Sequence, residues 1–330
     1  MGSGRKVLLA MLLCAATAMA GTKVKQEPEL EAGRRAYEAS EYPKAIQILQ
    51  EAAAKDSRNA EVQLLLAKSY SELQQHDAAI NSAEKAVSID PKNSVYHEWL
   101  GRAYGDKAEH AGWFSAMSLA RKTHKEFETA VELDGKNFSA RQALIEFDCS
   151  APGIVGGGED KAQPHIRELA AMDAAEGHYA AGNCRRQKKD FAVADAEFTK
   201  ALESDPKSAE LIYDIGDYAL RRSQPERMMA VADAGERVHP ADPRGKFYRG
   251  VALVLKKENP GEAERLLREY LNKAPKRYAY PRPAAAHYWL GRNYENQGKT
   301  DAAASEYEQA LELDPKNKMA QEALKKLKKN

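Results

Sequence analysis

Small residues return at an interval of 34 positions along this chain: Gly33, Ala67 and Gly101 form one series, and Gly182, Gly216 and Gly250 another. An alanine follows twelve residues later at Ala45, Ala79, Ala194 and Ala303, and a second comes seven beyond it at Ala52, Ala86, Ala201 and Ala310. A single globular core does not repeat itself in this way, so the interval constrains the fold more than length does. Stacked units share one growing core, which overrides the prior that 330 residues make about two separate domains.

The unit is helical. Ala, Leu, Glu, Lys and Gln dominate and β-branched residues are sparse. Units close on Asp90-Pro91-Lys92-Asn93, Asp205-Pro206-Lys207-Ser208 and Asp314-Pro315-Lys316-Asn317, with Asp134-Gly135-Lys136-Asn137 as a variant. Proline cannot continue a helix and drives the residue before it out of helical geometry. Between turns, small residues let two axes approach while large ones fill the groove. Thus Trp289, Leu290, Gly291, Tyr294, Ala303, Tyr307, Ala310 and Pro315 read as one hairpin. Tyr70, Tyr104 and Tyr294 sit three residues after the small position and wedge against the next helix.

This pattern resembles the tetratricopeptide repeat family over nearly all of the chain. The resemblance implies an all-α, right-handed superhelical solenoid of about eight helical hairpins over 21–317. The units run 26–59, 60–93, 94–137, 138–174, 175–208, 209–242, 243–283 and 284–317. A helix over 318–330, carrying Lys325, Lys326, Lys328 and Lys329, caps the open end.

Three places break the period. Unit three has ten extra residues between Gly101 and Ala130, including His110-Ala111-Gly112-Trp113-Phe114-Ser115-Ala116-Met117. Unit four contains Ala151-Pro152-Gly153-Ile154-Val155-Gly156-Gly157-Gly158, and unit seven ends in a basic, aromatic linker from Lys276 to Pro283. The first two breaks fall on one edge of a solenoid and should lie side by side, with Trp113 and Phe114 covering the glycine loop as a local core. The edge of Trp113, Phe114, Gly156, Gly157 and Gly158 is a second candidate contact surface. The loop, followed by Asp160-Lys161-Ala162, is similar to that of a group of exported bacterial tetratricopeptide proteins; that resemblance implies architecture and no defined activity. Phosphate binding would need Gly-x4-Gly-Lys-Ser/Thr after a strand. Lys161 follows Gly158 by three, without a Ser/Thr or a strand; only the helix opening remains as an anion-binding feature.

Residues 1–20 read as a signal peptide. Arg5 and Lys6 precede the apolar run Val7–Ala16, and Ala18-Met19-Ala20 offers a cleavage site before Gly21. Lipidation at Cys14 is disfavoured because Leu13 stands where a small residue is required. A periplasmic or secreted location follows, and no other apolar stretch is long enough to span a membrane. Cys149 and Cys184 then remain, on the first helices of adjacent units. Helix axes pack about 8–10 Å apart, whereas a disulfide needs Cα atoms within about 7 Å, which favours two buried free thiols.

No Cys-x-x-Cys, His-Glu-x-x-His or Gly-x-Ser-x-Gly spacing marks a metal, cofactor or nucleophile site in the mature chain, so a non-catalytic scaffold is expected. With 50 Lys+Arg against 49 Asp+Glu, the balance argues against a nucleic-acid partner. A protein or peptide is expected instead, in the concave groove lined by the first helices. Its candidate contacts are Arg34, Lys68, Trp99, Arg102, Tyr179 and Asn183, with Arg186, Tyr213, Asp217, Tyr288, Trp289 and Arg292 further along. Arginine and aromatic residues are enriched in binding hot spots. Trp99, Tyr213 and Trp289 have the alternative of wedging between helices. The lysine and asparagine clamp that some tetratricopeptide proteins use for acidic C-termini is not formed, since its places hold the mixture Glu98 and Arg102, Tyr179 and Asn183, and Tyr213 and Asp217.

Overall fold

The structure, a computed structural model, describes residues 28–275 and 279–327. The signal-peptide segment, Cys14, Lys328 and Lys329 lie outside the described residues, as do the linker residues 276–278. The described residues form helices and no strand. They pair as α1 (Pro28–Glu38) with α2 (Tyr42–Lys55), α3 (Ala60–Glu72) with α4 (His76–Ile89), and α5 (Ser94–Glu109) with α6 (Trp113–Leu133). There follow α7 (Phe138–Ser150) with α8 (Glu159–Met172), α9 (Ala174–Gln187) with α10 (Phe191–Glu203), and α11 (Ala209–Arg221) with α12 (Pro225–Val238). Then come α13 (Arg244–Lys256) with α14 (Pro260–Lys273), α15 (Pro283–Asn296) with α16 (Thr300–Leu313), and α17 (Lys318–Leu327) at the end. Each helix packs on its hairpin partner, and α3, α5, α7 and α9 also pack in series. The chain is an all-α repeat solenoid.

The recurring turn is built by two side chains. In Asp90-Pro91-Lys92-Asn93, the Lys92 N–H donates to Asp90 Oδ1 at 3.2 Å, and the Val95 N–H donates to Asn93 Oδ1 at 3.0 Å. The first bond closes the turn and the second caps the next helix, satisfying a donor with no intrahelical partner. Asp134 with Asn137, and Asp314 with Asn317, repeat the arrangement. At Asp205-Pro206 the backbone differs: Asp205 takes φ +56°, and Ser208 supplies the cap.

Close approach explains the small positions. A Cβ on Gly101 would stand 2.7 Å from the Phe127 ring, and one on Gly182 would stand 2.6 Å from Phe198. The partner lies sixteen residues on in the regular unit and twenty-six on in unit three, which places the ten extra residues inside that hairpin. They lengthen its helices: α5 has 16 residues and α6 has 21, against 13 and 14 for α3 and α4.

The extended α6 and the loop 151–158 do lie side by side. Arg121 donates to the Ile154 carbonyl at 3.3 Å, and a Cβ on Gly156, where φ is +111°, would meet the His124 ring at 2.8 Å. His124 Nε2 contacts Asp148 Oδ1 at 3.1 Å, with both residues buried, and the Gly158 N–H donates to the Asp148 carbonyl. The expected local core does not form, because Trp113 is 73% exposed and Phe114 86%. They begin α6, about 12 Å of helix rise before Arg121, and so extend past the loop.

The expectation of free thiols is also corrected. Cys149 and Cys184 form a disulfide between α7 and α9, with Cα atoms 5.3 Å apart. The axis separation was the wrong measure. Cα atoms lie about 2.3 Å off each axis, so facing pairs approach several ångströms closer than the axes do.

Candidate functional site

The first helices α3, α5, α7, α9 and α11 together line a groove. A cleft of about 720 Å³ runs from Ser71 and Glu72 on α3 across Trp99 and Arg102 on α5 to Glu146 and Phe147 on α7. Glu146 also lines a pocket of about 200 Å³ with Gln142, Tyr179, Asn183, Arg186 and Asp214. Buried Ile145 and Ala180 also line it, and Glu146 is the residue that cleft and pocket share.

The expected groove residues divide into three groups. Arg34 bridges Glu31 and Glu61 at the first joint. Lys68 and Arg102 lie over the half-buried Trp99 ring at 4.6 and 5.7 Å, a cation–π pair that holds the indole at the surface. Burial also lowers the pKa of Lys68 below that of an ordinary lysine. Arg102 donates to Glu98 at 3.0 Å and to Ser139 at 3.1 Å; Glu98 is 4% exposed and also accepts from Asn137.

Tyr179, Asn183 and Arg186 form the second group, at the pocket. The Tyr179 hydroxyl donates to Asp214 at 2.9 Å, and Arg186 reaches the same carboxylate at 3.4 Å. Burial, then the Asp214 charge, raises the Tyr179 pKa, which keeps the phenol a donor. Asn183 Oδ1 is buried without a hydrogen-bond partner.

In the third group Tyr213, Tyr288 and Trp289 belong to the core rather than to the groove surface, and Asp217 and Arg292 lie half-buried beside them. Tyr213 is 2% exposed, stacked on Tyr248 and covered by Arg244 at 4.1 Å. Tyr288 and Trp289 are buried against each other at 5.2 Å, and Arg292 donates to the Tyr288 hydroxyl. Asp217 accepts from the buried Tyr248 hydroxyl at 2.7 Å. Large side chains of successive first helices interlock here and close the surface that smaller residues leave open in units two to five. Trp113, Phe114 and the glycines 156–158 line neither cleft nor pocket, although His110 and Ser150, close to them in the chain, line the cleft.

Several lining residues were missed in the sequence. Glu146 and Asp214 occupy the ninth and sixth positions of their first helices, in register with Arg102 and Trp99. As carboxylates they carry none of the arginine or aromatic character that marks a binding hot spot. Glu72, Asp106 and Glu109 lie at helix ends beyond that register, and only the packing of α3 against α5 brings them together.

Tetratricopeptide repeat profiles match residues 36–103, 175–208 and 284–317. No curated protein matches the chain in sequence. Similar solved structures include a tetratricopeptide repeat protein from Parabacteroides merdae, 14% identical with TM-score 0.44, covering 92% of this chain and 98% of that one. The APC/C hetero-tetramer Cut9–Hcn1 is 14% identical with TM-score 0.48, over 93% of this chain and 57% of that one. MamA is 21% identical with TM-score 0.40, over 52% of this chain and 94% of that one. With three matched segments falling on the hairpins α1–α5, α9–α10 and α15–α16, the chain belongs to the tetratricopeptide repeat family.

Proposed function

We propose that this protein is an exported, non-catalytic scaffold that holds a segment of a protein partner along its concave face, within cell-envelope assembly. The observation that carries this reading is the open groove over α3 to α11, in which a cleft of about 720 Å³ adjoins a polar pocket at Glu146. Its half-buried tyrosine, tryptophan and arginine side chains suit a peptide backbone and its side chains. Export is supported by the Cys149–Cys184 disulfide, since such bonds persist in oxidising compartments. Residues 1–20 supply the matching address.

The test is a photo-crosslinking side chain placed at Arg102 or Arg186 in the native host. Trapping of one partner from both positions, and none from Glu132 on α6, is the expected result. Cell fractionation, with the mass of the mature N-terminus, checks export and cleavage after Ala20; a cytosolic, uncleaved chain removes that part.

A second reading places the partner on the hairpin edge, and the exposure of Trp113 and Phe114 favours it. A crosslinker at Phe114 that traps the partner, with none trapped at Arg102 or Arg186, selects the edge. A phosphate or nucleotide at the glycine loop is a third reading of another class. Lys161 Nζ is turned back onto the Gly156 carbonyl at 2.5 Å, which leaves it poorly placed for an anion. A thermal-shift screen with nucleotides and inorganic phosphate, showing no response, disposes of it.

A further inference from the structure

Charge is distributed unevenly between the groove and the rest of the molecule. The chain as a whole carries a formal net charge of +1. The cleft and pocket together are lined by Glu72, Asp106, Glu109, Glu146 and Asp214, against Arg102 and Arg186. Both arginines are already engaged, Arg102 with Glu98 and Arg186 with Asp214. Of the five carboxylates, only Asp214 takes part in an ion pair among the described residues. The others have neutral partners or none: Glu72 meets Tyr42, Asp106 meets Ser71, and Glu146 accepts from Gln187 at 3.1 Å.

Elsewhere several carboxylates are tied to arginines across helix joints, as in Arg227 with Asp195, Arg249 with Glu236 and Arg268 with Glu306. Glu72, Asp106, Glu109 and Glu146 make no such ion pair among the described residues. Burial raises the pKa of Glu72 and of Asp106; the Asp106 charge adds to the rise at Glu72, while at Asp106 the rise persists although His76 and Arg102 work against it. These two groups are held at a cost that a nearby cation would offset.

Two buried polar atoms in the same groove lack partners, His76 Nδ1 in the cleft and Asn183 Oδ1 in the pocket. The amide oxygen is an acceptor, and Glu146 and Asp214 beside it are acceptors as well. The site wants a donor with positive charge.

We propose that the groove takes a basic, extended segment of a partner protein, with one lysine or arginine side chain seated on Asn183, Glu146 and Asp214 and further cationic residues over Glu109, Asp106 and Glu72. The inference rests on the groove reading above and names the chemistry of its partner. Neighbouring first helices lie about 8–10 Å apart, and three residues of extended chain cover about 10 Å, so basic residues at every third position meet successive helices. The stems of these side chains lie along Trp99 and Phe147, which line the cleft. Nucleic acids and anionic lipid surfaces carry the wrong sign for this face.

The test uses the mature protein and a fluorescent peptide of about twelve residues with lysine at every third position, a length that spans the groove in extended form. Versions with glutamate or serine at those positions serve as comparison. Anisotropy should show the lysine peptide bound most tightly, with affinity falling as salt rises. The double variant Glu109→Gln with Glu146→Gln should weaken binding about tenfold and flatten the salt dependence. Asn183→Ala should weaken it with the salt dependence kept. Glu132→Gln with Glu203→Gln, on second helices, should change neither. Circular dichroism melts confirm that the exposed amide variants fold. Equal or tighter binding of the serine or glutamate peptide, failure of the lysine peptide to bind, or indifference to the amide variants overturns the inference. The groove reading itself stands or falls separately. A partner segment trapped at Arg102 and Arg186 but neutral or acidic in sequence sinks the basic segment alone, whereas no trapping at either position sinks both.

Discussion

Units five to eight share one apolar core reaching from Ala175 to Ala320, whereas units one to four divide theirs among separate clusters around Leu49, Ala83, Leu144 and Ile145. The seam runs along α9, where Ala180 and Cys184 face back to α7 while Ala175 packs forward. Polar burial accounts for the contrast. Among the described residues, ten of the twelve buried polar side chains precede Ala151. Glu98, bonded to Asn137 and Ser139, and His124, bonded to Asp148, are among them. The C-terminal half fills its joints with interlocked rings such as Phe247, Tyr248 and Tyr270. Apolar contact is non-directional, but hydrogen bonds fix geometry, so the N-terminal joints hold specific angles with less apolar burial. The groove opens over the half built that way.

The contrast can be broken by experiment. Phe247→Ala removes a fully buried ring from the shared core and should cost about 4 kcal/mol in urea unfolding. Amide exchange should then rise across all of units five to eight. Phe127→Ala in the divided half should raise exchange only around α5 to α7; spread beyond them would show one core where two regimes are described.

Next in size, Cys149→Ala with Cys184→Ala opens a cross-link spanning 35 residues. It should cost about 3 kcal/mol, with lost protection confined to α7, α8 and α9. Loss reaching α13 would show that the disulfide holds the two halves together rather than one joint.

At the seam, Glu176 accepts from Gln142, and burial followed by the Asp173 charge pushes its pKa up from 4.5 to about 7. Between those values the folded protein keeps a proton that the unfolded chain has released. Stability from this group is therefore full below pH 4.5 and falls as pH rises through about 7. Glu176→Gln should flatten that decline and gain about 1 kcal/mol at pH 8, the full shift being screened by solvent. An unchanged pH profile of chemical denaturation would remove the group from the account.

The smallest effect is expected at the edge. Trp113→Ser with Phe114→Ser should change the melting free energy by less than about 0.5 kcal/mol, because neither ring packs on the loop. A larger loss would reinstate the local core.

Much of the fold was legible because repeat chemistry is local. The Gly101–Phe127 and Gly182–Phe198 contacts, the Asp90–Asn93 turn and the ten-residue lengthening of unit three all lie within one hairpin. The site was legible in part. Arg102, Tyr179, Asn183 and Arg186 line the groove, while Tyr213, Tyr288 and Trp289 do not, because their depth depends on the size of side chains in neighbouring units.

By itself, then, the sequence determined the unit, its period, its turns and its two irregular hairpins, since each follows from residues a single hairpin brings together. The tertiary structure decided what passes between units. It paired Cys149 with Cys184, left Trp113 and Phe114 in solvent, and gathered Glu72, Asp106, Glu109 and Glu146 around one cleft whose lining arginine, Arg102, is already bound to Glu98. Those outcomes depend on the spacing and angle of successive hairpins, which side-chain packing sets and a 34-residue period does not encode.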